Sequence, residues 1–301
     1  MAEGKLNLDI GEKVSELEAV MTRFQIKNIL YRLIFRGKGL EFDGYREYTH
    51  DDDAGMIDWK ATSRSDKTLV KKYIEERDLK IVFVIDVSEN MVFGSTDKLK
   101  CEYAAELAAA LAHLIITSND KIGFVFYADG IKKEVLNLKT GKKRFNLFIG
   151  QLENPSFYGG DSNLKVTLDY LLDTLDESTS AVVLISDFLR LNEDVSKSLK
   201  LFAGKFETMA FMVRDPLDRT LPDIKGEVVL EDPKSGEQII VDPSVARRQY
   251  EEYTKRKDKE IKKLLENSRI DFKELSTKQN FSPEVASFLK RRAEEGKFIT
   301  S

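Results

Sequence analysis

Residues 81–95 read IVFVIDVSENMVFGS, a run of apolar β-formers that ends abruptly on Asp86, Ser88 and Asn90. A second apolar run, AVVLIS, stops at Asp187, and between the two lies YGGDSNL, a glycine-rich turn carrying Asp161, Ser162 and Asn163. Carboxylate, hydroxyl and amide oxygens without imidazole or thiol nearby form a hard ligand set, suited to Mg²⁺, Mn²⁺ or Ca²⁺. A divalent cation at the end of the strand would explain why a buried run finishes on oxygens. The competing reading is an ion-free cluster held together by hydrogen bonds.

Such oxygens act together only if the fold brings them to one place. From Leu79 onward the chain alternates strand and helix patterns, the signature of an α/β, doubly wound, mostly parallel sheet. LKIVFVID shows no polar alternation and so reads as a strand buried on both faces. Leu99, Tyr103, Leu107, Leu111 and Leu114 mark an Ala-rich helix able to pack close to the sheet. KIGFVFYA and IKKEVLNL read as a hairpin turning at Asp129 and Gly130. Helices are expected over KKRFNLFIGQL, the leucine series 164–175 and VSKSLKLFAGKF, with ETMAFMVRD and IDFKELS as later strands. Residues 216–243 look like an inserted hairpin, followed by a long charged helix from Ser244. In open α/β sheets ligands gather beyond the carboxyl ends of the strands, where strand order reverses. Asp86 and Asp187 both belong at that rim.

Ahead of this alternation, Val14, Leu17, Met21, Phe24, Leu30, Leu33 and Ile34 recur at helical spacing, so residues 13–35 read as amphipathic helix. An aromatic-rich, aperiodic segment follows. The domain reading is therefore 1–78 as a helical and irregular N-terminal extension, and 79–301 as the α/β domain.

With 301 residues and 42% apolar content, the chain can bury a substantial core. Its formal charge of −4 is too near balance to imply a nucleic-acid or membrane surface. The lone Cys101 cannot build a disulfide framework, and no signal peptide or spanning run is legible, so a cytoplasmic protein without a membrane span is expected.

Asp86, Ser88 and Asn90 in DVSEN, Ser162 after the glycines, and Asp187 in LISDF resemble the metal-ion-dependent adhesion site of von Willebrand factor A-type domains. That motif is Asp-x-Ser-x-Ser, then a Thr and a later Asp. Asn90 stands for the third Ser and Ser162 for the Thr, each keeping an oxygen. The resemblance implies a metal, Mg²⁺ or alternatively Mn²⁺ or Ca²⁺, held by Asp86, Ser88, Asn90 and Ser162, with Asp187 holding a metal-bound water. One position is left for a partner's carboxylate. The front segment narrows the family. Gly39 to Phe42, Arg46 to Tyr48, Asp52 with Asp53, Ile57 to Trp59, and Ser63 with Arg64 resemble the signature of the domain-of-unknown-function 58 family, as do DPLDRTLPD, EDPKSGEQIIVD, Tyr250 and ELST. That family implies a MoxR-type AAA+ ATPase and its client protein as partners, with a chaperone-like or assembly role.

Other chemistries fit the residues less well. Glu41, Arg46, Glu47, Asp52, Asp58 and Arg64 could form an acid/base array, but with no nucleophile or His among them an ion-pair network is the expectation. His50 and His113 stand alone, which disfavours zinc. No phosphate-cradling Gly-x-x-x-x-Gly-Lys-Ser/Thr loop is present. Basic residues 247–263 are interleaved with acids, the pattern of a solvated face. The expected function is thus a non-enzymatic interaction module that binds an acidic partner side chain through a divalent cation. The alternatives are a metal-dependent hydrolase or phosphotransfer enzyme using Asp86, and a scaffold with an ion-free site.

Overall fold

The structure, a computed structural model, describes residues 6–23, 40–49, 57–65, 67–75, 79–224, 226–231 and 238–295. In chain order these form α1 (Ile10–Arg23), β1 (Leu40–Glu47), α2 (Trp59–Thr62), β2 (Leu69–Glu75), β3 (Lys80–Asp86), α3 (Lys100–Thr117), β4 (Lys121–Tyr127) and β5 (Ile131–Lys139). There follow α4 (Lys142–Leu152), α5 (Leu164–Thr174), β6 (Ala181–Ser186), α6 (Ser196–Lys205), β7 (Glu207–Arg214), β8 (Val228–Glu231), β9 (Gln238–Val241), α7 (Pro243–Asn267), β10 (Asp271–Ser276) and α8 (Phe281–Glu295). The chain divides into two compact units, Arg36–Asp78 and the remainder.

In the larger unit six strands form one sheet in the order β10-β7-β6-β3-β4-β5. All neighbours are parallel except β5, which returns antiparallel on β4 at the edge. The tight turn expected at Asp129 and Gly130 makes that return, with the Ala128 N–H on the Gly130 carbonyl at 2.9 Å. Edge strand β5 carries Lys132, Lys133 and Glu134 and, unlike β3, is not fully buried. Strand order runs outward in both directions from β3 and β6, so the switch point lies between them.

β3 is buried on both faces, as its sequence predicts. Ile81, Phe83 and Ile85 join a core with α1, α3, α4 and α8, while Val82 and Val84 join a second core with α5, α6 and α7. Ala104, Ala105, Ala108, Ala109 and Ala112 of α3 are all buried, which lets this helix lie close to the strands. Phe83, Phe124 and Phe148 interlock there, with ring centroids 4.9 Å apart for the last two.

Of the helix read over 13–35, the described part falls in α1, Ile10–Arg23, and the rest lies outside the described residues. That helix also belongs to the α/β unit rather than to the front segment. Leu17 and Met21 are fully buried against the core that α3 and α8 line, so the boundary at 78 does not separate it. The insertion is a β8–β9 antiparallel hairpin preceded by a 3₁₀ turn, Pro216–Asp218, that Asp215 caps. In the smaller unit β1 and β2 pair antiparallel with a bulge between Phe42 and Gly44. Asp58 caps α2, accepting from the Lys60 and Ala61 N–H groups and from the Tyr45 hydroxyl, while Glu47 pairs with Lys67. Glu41's side chain, Asp52 and His50 lie outside the described residues.

Candidate functional site

Register alone assembles the rim. Asp86 pairs with Tyr127 of β4, and on the other side Ile85 pairs with Ile185, which brings Ser186 abreast of Asp86. The glycine-rich turn then folds over the end of β3. Gly159 (φ +126°) and Gly160 (φ +87°) take left-handed conformations that side chains rarely adopt. The Gly159 N–H donates to the Val87 carbonyl at 2.8 Å, and Glu89 N–H donates to the Gly160 carbonyl at 2.9 Å. This stapling delivers Ser162 to Asp86, and Asn163 becomes the cap of α5 through Val166 N–H.

Asp86 is 1% exposed and accepts from Ser88 N–H at 2.9 Å, Ser162 Oγ at 2.9 Å and Ser186 Oγ at 2.7 Å. All three donors are neutral. Burial, with the nearby Asp187 carboxylate adding to it, pushes the Asp86 carboxyl above its usual range. Asp187 is equally buried, and its Oδ1 accepts Leu189 N–H at 2.9 Å.

The largest departure from the sequence reading is Lys100. Its ammonium, 1% exposed, lies 2.8 Å from Asp187 Oδ2 and 3.2 Å from both carboxylate oxygens of Asp218. Burial works against this charge, but Asp187 and Asp218 outweigh it and hold the lysine pKa above its ordinary value. Lys100, Asp218 and Ser186 were not legible as site residues. The available signals were a lysine at the start of an Ala-rich helix, and a serine directly before a strand-end aspartate.

Of the five sequence candidates, Asp86, Ser88, Ser162 and Asp187 come together. Asn90 sits in a 3₁₀ turn, Glu89–Met91, and lines an adjoining cavity of about 610 Å³ with Phe93, Lys100, Arg190 and Tyr253. Tyr253 of α7 is 52% exposed there. A second cavity of about 300 Å³ opens on Ser162, Ser186 and Tyr127. His113 lies away from the rim, 3.3 Å from Glu18 and edge-on to Phe145.

Whether the residues suit a cation can be judged from their unmet needs. Among the described residues, Ser88 Oγ and Tyr127 Oη are buried without a well-aligned hydrogen bond, and Ser88 lies beside Asp86. Such orphaned hydroxyls are rare unless something completes them. Asp187 and Asp218 share the ammonium of Lys100, while among the described residues the buried Asp86 meets only neutral donors, so the cluster keeps an excess of negative charge that one divalent ion would neutralise. Among the described residues no group of three His, Cys, Asp or Glu side chains could hold a metal, so an ion here must rely on hydroxyl and water oxygens. The donor set fits a hard cation of that kind.

Comparison with known proteins agrees with the family that the front-segment motifs resemble. The model of the family described as protein of unknown function DUF58 matches residues 44–260. The uncharacterized protein Rv1480 of Mycobacterium tuberculosis and its Mycobacterium bovis counterpart Mb1516 are each 30% identical over 215 residues. Those alignments take in 69% of this chain and 66% of each relative, so the chain spans just under two thirds of their length. Among solved structures, the conserved hypothetical protein BatB from Bacteroides thetaiotaomicron has TM-score 0.50 at 13% identity, covering 72% of this chain and 99% of BatB. The SpRpn10 VWA domain is similar at TM-score 0.37 and 12% identity, covering 74% of this chain and 99% of that one. The sheet order and the BatB likeness bear on fold alone, and they give a doubly wound, mostly parallel α/β sheet. The chain belongs to the DUF58 family.

Proposed function

We propose that this DUF58 chain is a non-catalytic interaction module whose rim takes up a divalent cation, Mg²⁺ or in its place Mn²⁺ or Ca²⁺, and presents it to a carboxylate on a protein partner. One observation carries the reading: among the described residues, Ser88 Oγ is buried without a well-aligned hydrogen bond beside Asp86, a carboxylate paired with no lysine or arginine. Ser88 and Ser162 would offer hydroxyl oxygens, Asp86 and Asp187 negative charge, directly or through water. A bound ion would supply an electropositive point for an anionic side chain. In this reading Asn90, on the wall of the neighbouring cavity, would offer its amide oxygen to the ion or to the incoming group. The partner we propose is a MoxR-type AAA+ ATPase, or its client, in keeping with the resemblance in the front segment.

The alternative, a metal-dependent hydrolase or phosphotransfer enzyme built on Asp86, gains something from Lys100, the cation missing from the residues adjacent to Asp86. It asks for an open carboxylate, however. Asp86 is 1% exposed with both oxygens engaged. Calorimetric titration with Mn²⁺ decides the first step: wild type is expected to bind and Asp86→Ala to lose binding by about a hundredfold or more. Equal heats from the two proteins would sink the cation reading. Recovery of the ATPase with the chain, lost on adding chelator, tests the partner.

A further inference from the structure

The ammonium of Lys100 already stands against one of the two carboxylates that an ion would use. Resting on the cation reading of this site, we infer that Lys100 is a tethered counter-ion that competes with the divalent cation for Asp187, and that Asp218 is the seat to which it withdraws. Both oxygens of Asp187 are occupied, Oδ2 by the ammonium at 2.8 Å and Oδ1 by Leu189 N–H at 2.9 Å. An ion beside Asp86 must therefore tolerate a positive neighbour or displace it, and like charges at such range repel strongly where water is excluded. Asp218 offers the displaced charge a place. Its two oxygens lie equally far from Nζ, at 3.2 Å, and its Oδ2 is steadied by Asp215 N–H at 2.8 Å. The Phe93 ring, 5.8 Å from Nζ, faces the same ammonium from the cavity side.

Lys100 thus sets how tightly the rim takes an ion. The same arrangement ties ion uptake to the turn at Pro216–Asp218, against which α7 rests through the Tyr250 hydroxyl on the Leu217 carbonyl at 2.8 Å.

The test is Mn²⁺ titration calorimetry on wild type, Lys100→Met and Asp218→Asn, with folding of each checked by circular dichroism. Removing the competing charge is expected to tighten binding about tenfold or more, and removing its alternative seat to weaken binding several-fold. Folded Lys100→Met that binds as wild type does, or more weakly, overturns the inference while leaving the cation reading intact. Silence from both wild type and Lys100→Met overturns the two together. Binding by Lys100→Met alone supports competition and refutes occupancy in the native chain. If Lys100→Met does not fold, Asp218→Asn decides: weaker binding supports the inference, and unchanged or tighter binding overturns it.

Discussion

Two groups of buried carboxylates flank the first turns of α3, and they are served by different kinds of donor. Glu102 and Glu106 grip the start of the described chain: Glu102 accepts Asn7 N–H at 2.9 Å and Leu99 N–H at 3.0 Å, and Glu106 accepts Asp9 N–H at 2.8 Å. Lys98 adds its ammonium to Glu106 at 2.9 Å and to Asp9 at 2.6 Å. Asp86, by contrast, rests on one N–H and two hydroxyls. An N–H can only donate, whereas a hydroxyl both donates and offers lone pairs. The first group is therefore locked as a latch, while the second can re-aim its oxygens at an arriving cation. Lys98 and Lys100, two positions apart, fall one into each group.

The strongest way to break this contrast is to open the latch. Glu106→Ala strands the Asp9 N–H and leaves the Lys98 ammonium with Asp9 as its remaining carboxylate partner, an expected loss of about 2–3 kcal/mol. The thermal midpoint should fall by roughly 5–10 °C, with Mn²⁺ heats unchanged. A coupled loss of Mn²⁺ binding would merge the two groups into one. Ser88→Ala sharpens the other side. Because its Oγ makes no well-aligned hydrogen bond among the described residues, the midpoint should stay near that of wild type while Mn²⁺ affinity drops about tenfold.

The smallest effect is one of pH in the presence of chelator. A carboxyl whose folded-state pKa lies above its usual 3.8 binds its proton more readily in the fold than in the unfolded chain. Its contribution to stability is complete below the unfolded value and is lost as pH rises through the raised one. Asp86→Asn, which stays neutral throughout, should match wild type near pH 4 and exceed it by about 1 kcal/mol as pH rises toward neutrality. Parallel melting curves for the two proteins across that range would show that the aspartate charge is not felt.

Much of this fold can be read from apolar pattern. The uninterrupted runs ending at Asp86 and Asp187 mark central parallel strands because nothing polar survives on either face of such a strand. Paired glycines before Ser162 likewise announce a turn that other residues would strain. What the pattern could not convey is which strands lie side by side. Ser186 meets Asp86 only because β6 is the neighbour of β3, and Asp218 reaches Lys100 from far along the chain. Lys100 itself was hidden by its surroundings, a helix whose alanines and leucines direct attention to packing. Asn90 is grouped with the ligands by its place in a motif, and only the turn at Glu89–Met91 shows that it also lines the adjoining cavity.

Strand β5 carries a separate implication for company. Its antiparallel return closes one flank of the sheet with a border bearing Lys132, Lys133 and Glu134, the sort of charged fringe that discourages another polypeptide from adding itself as a further strand. A visitor is thereby steered away from backbone zippering on that flank and toward recognition by side chains.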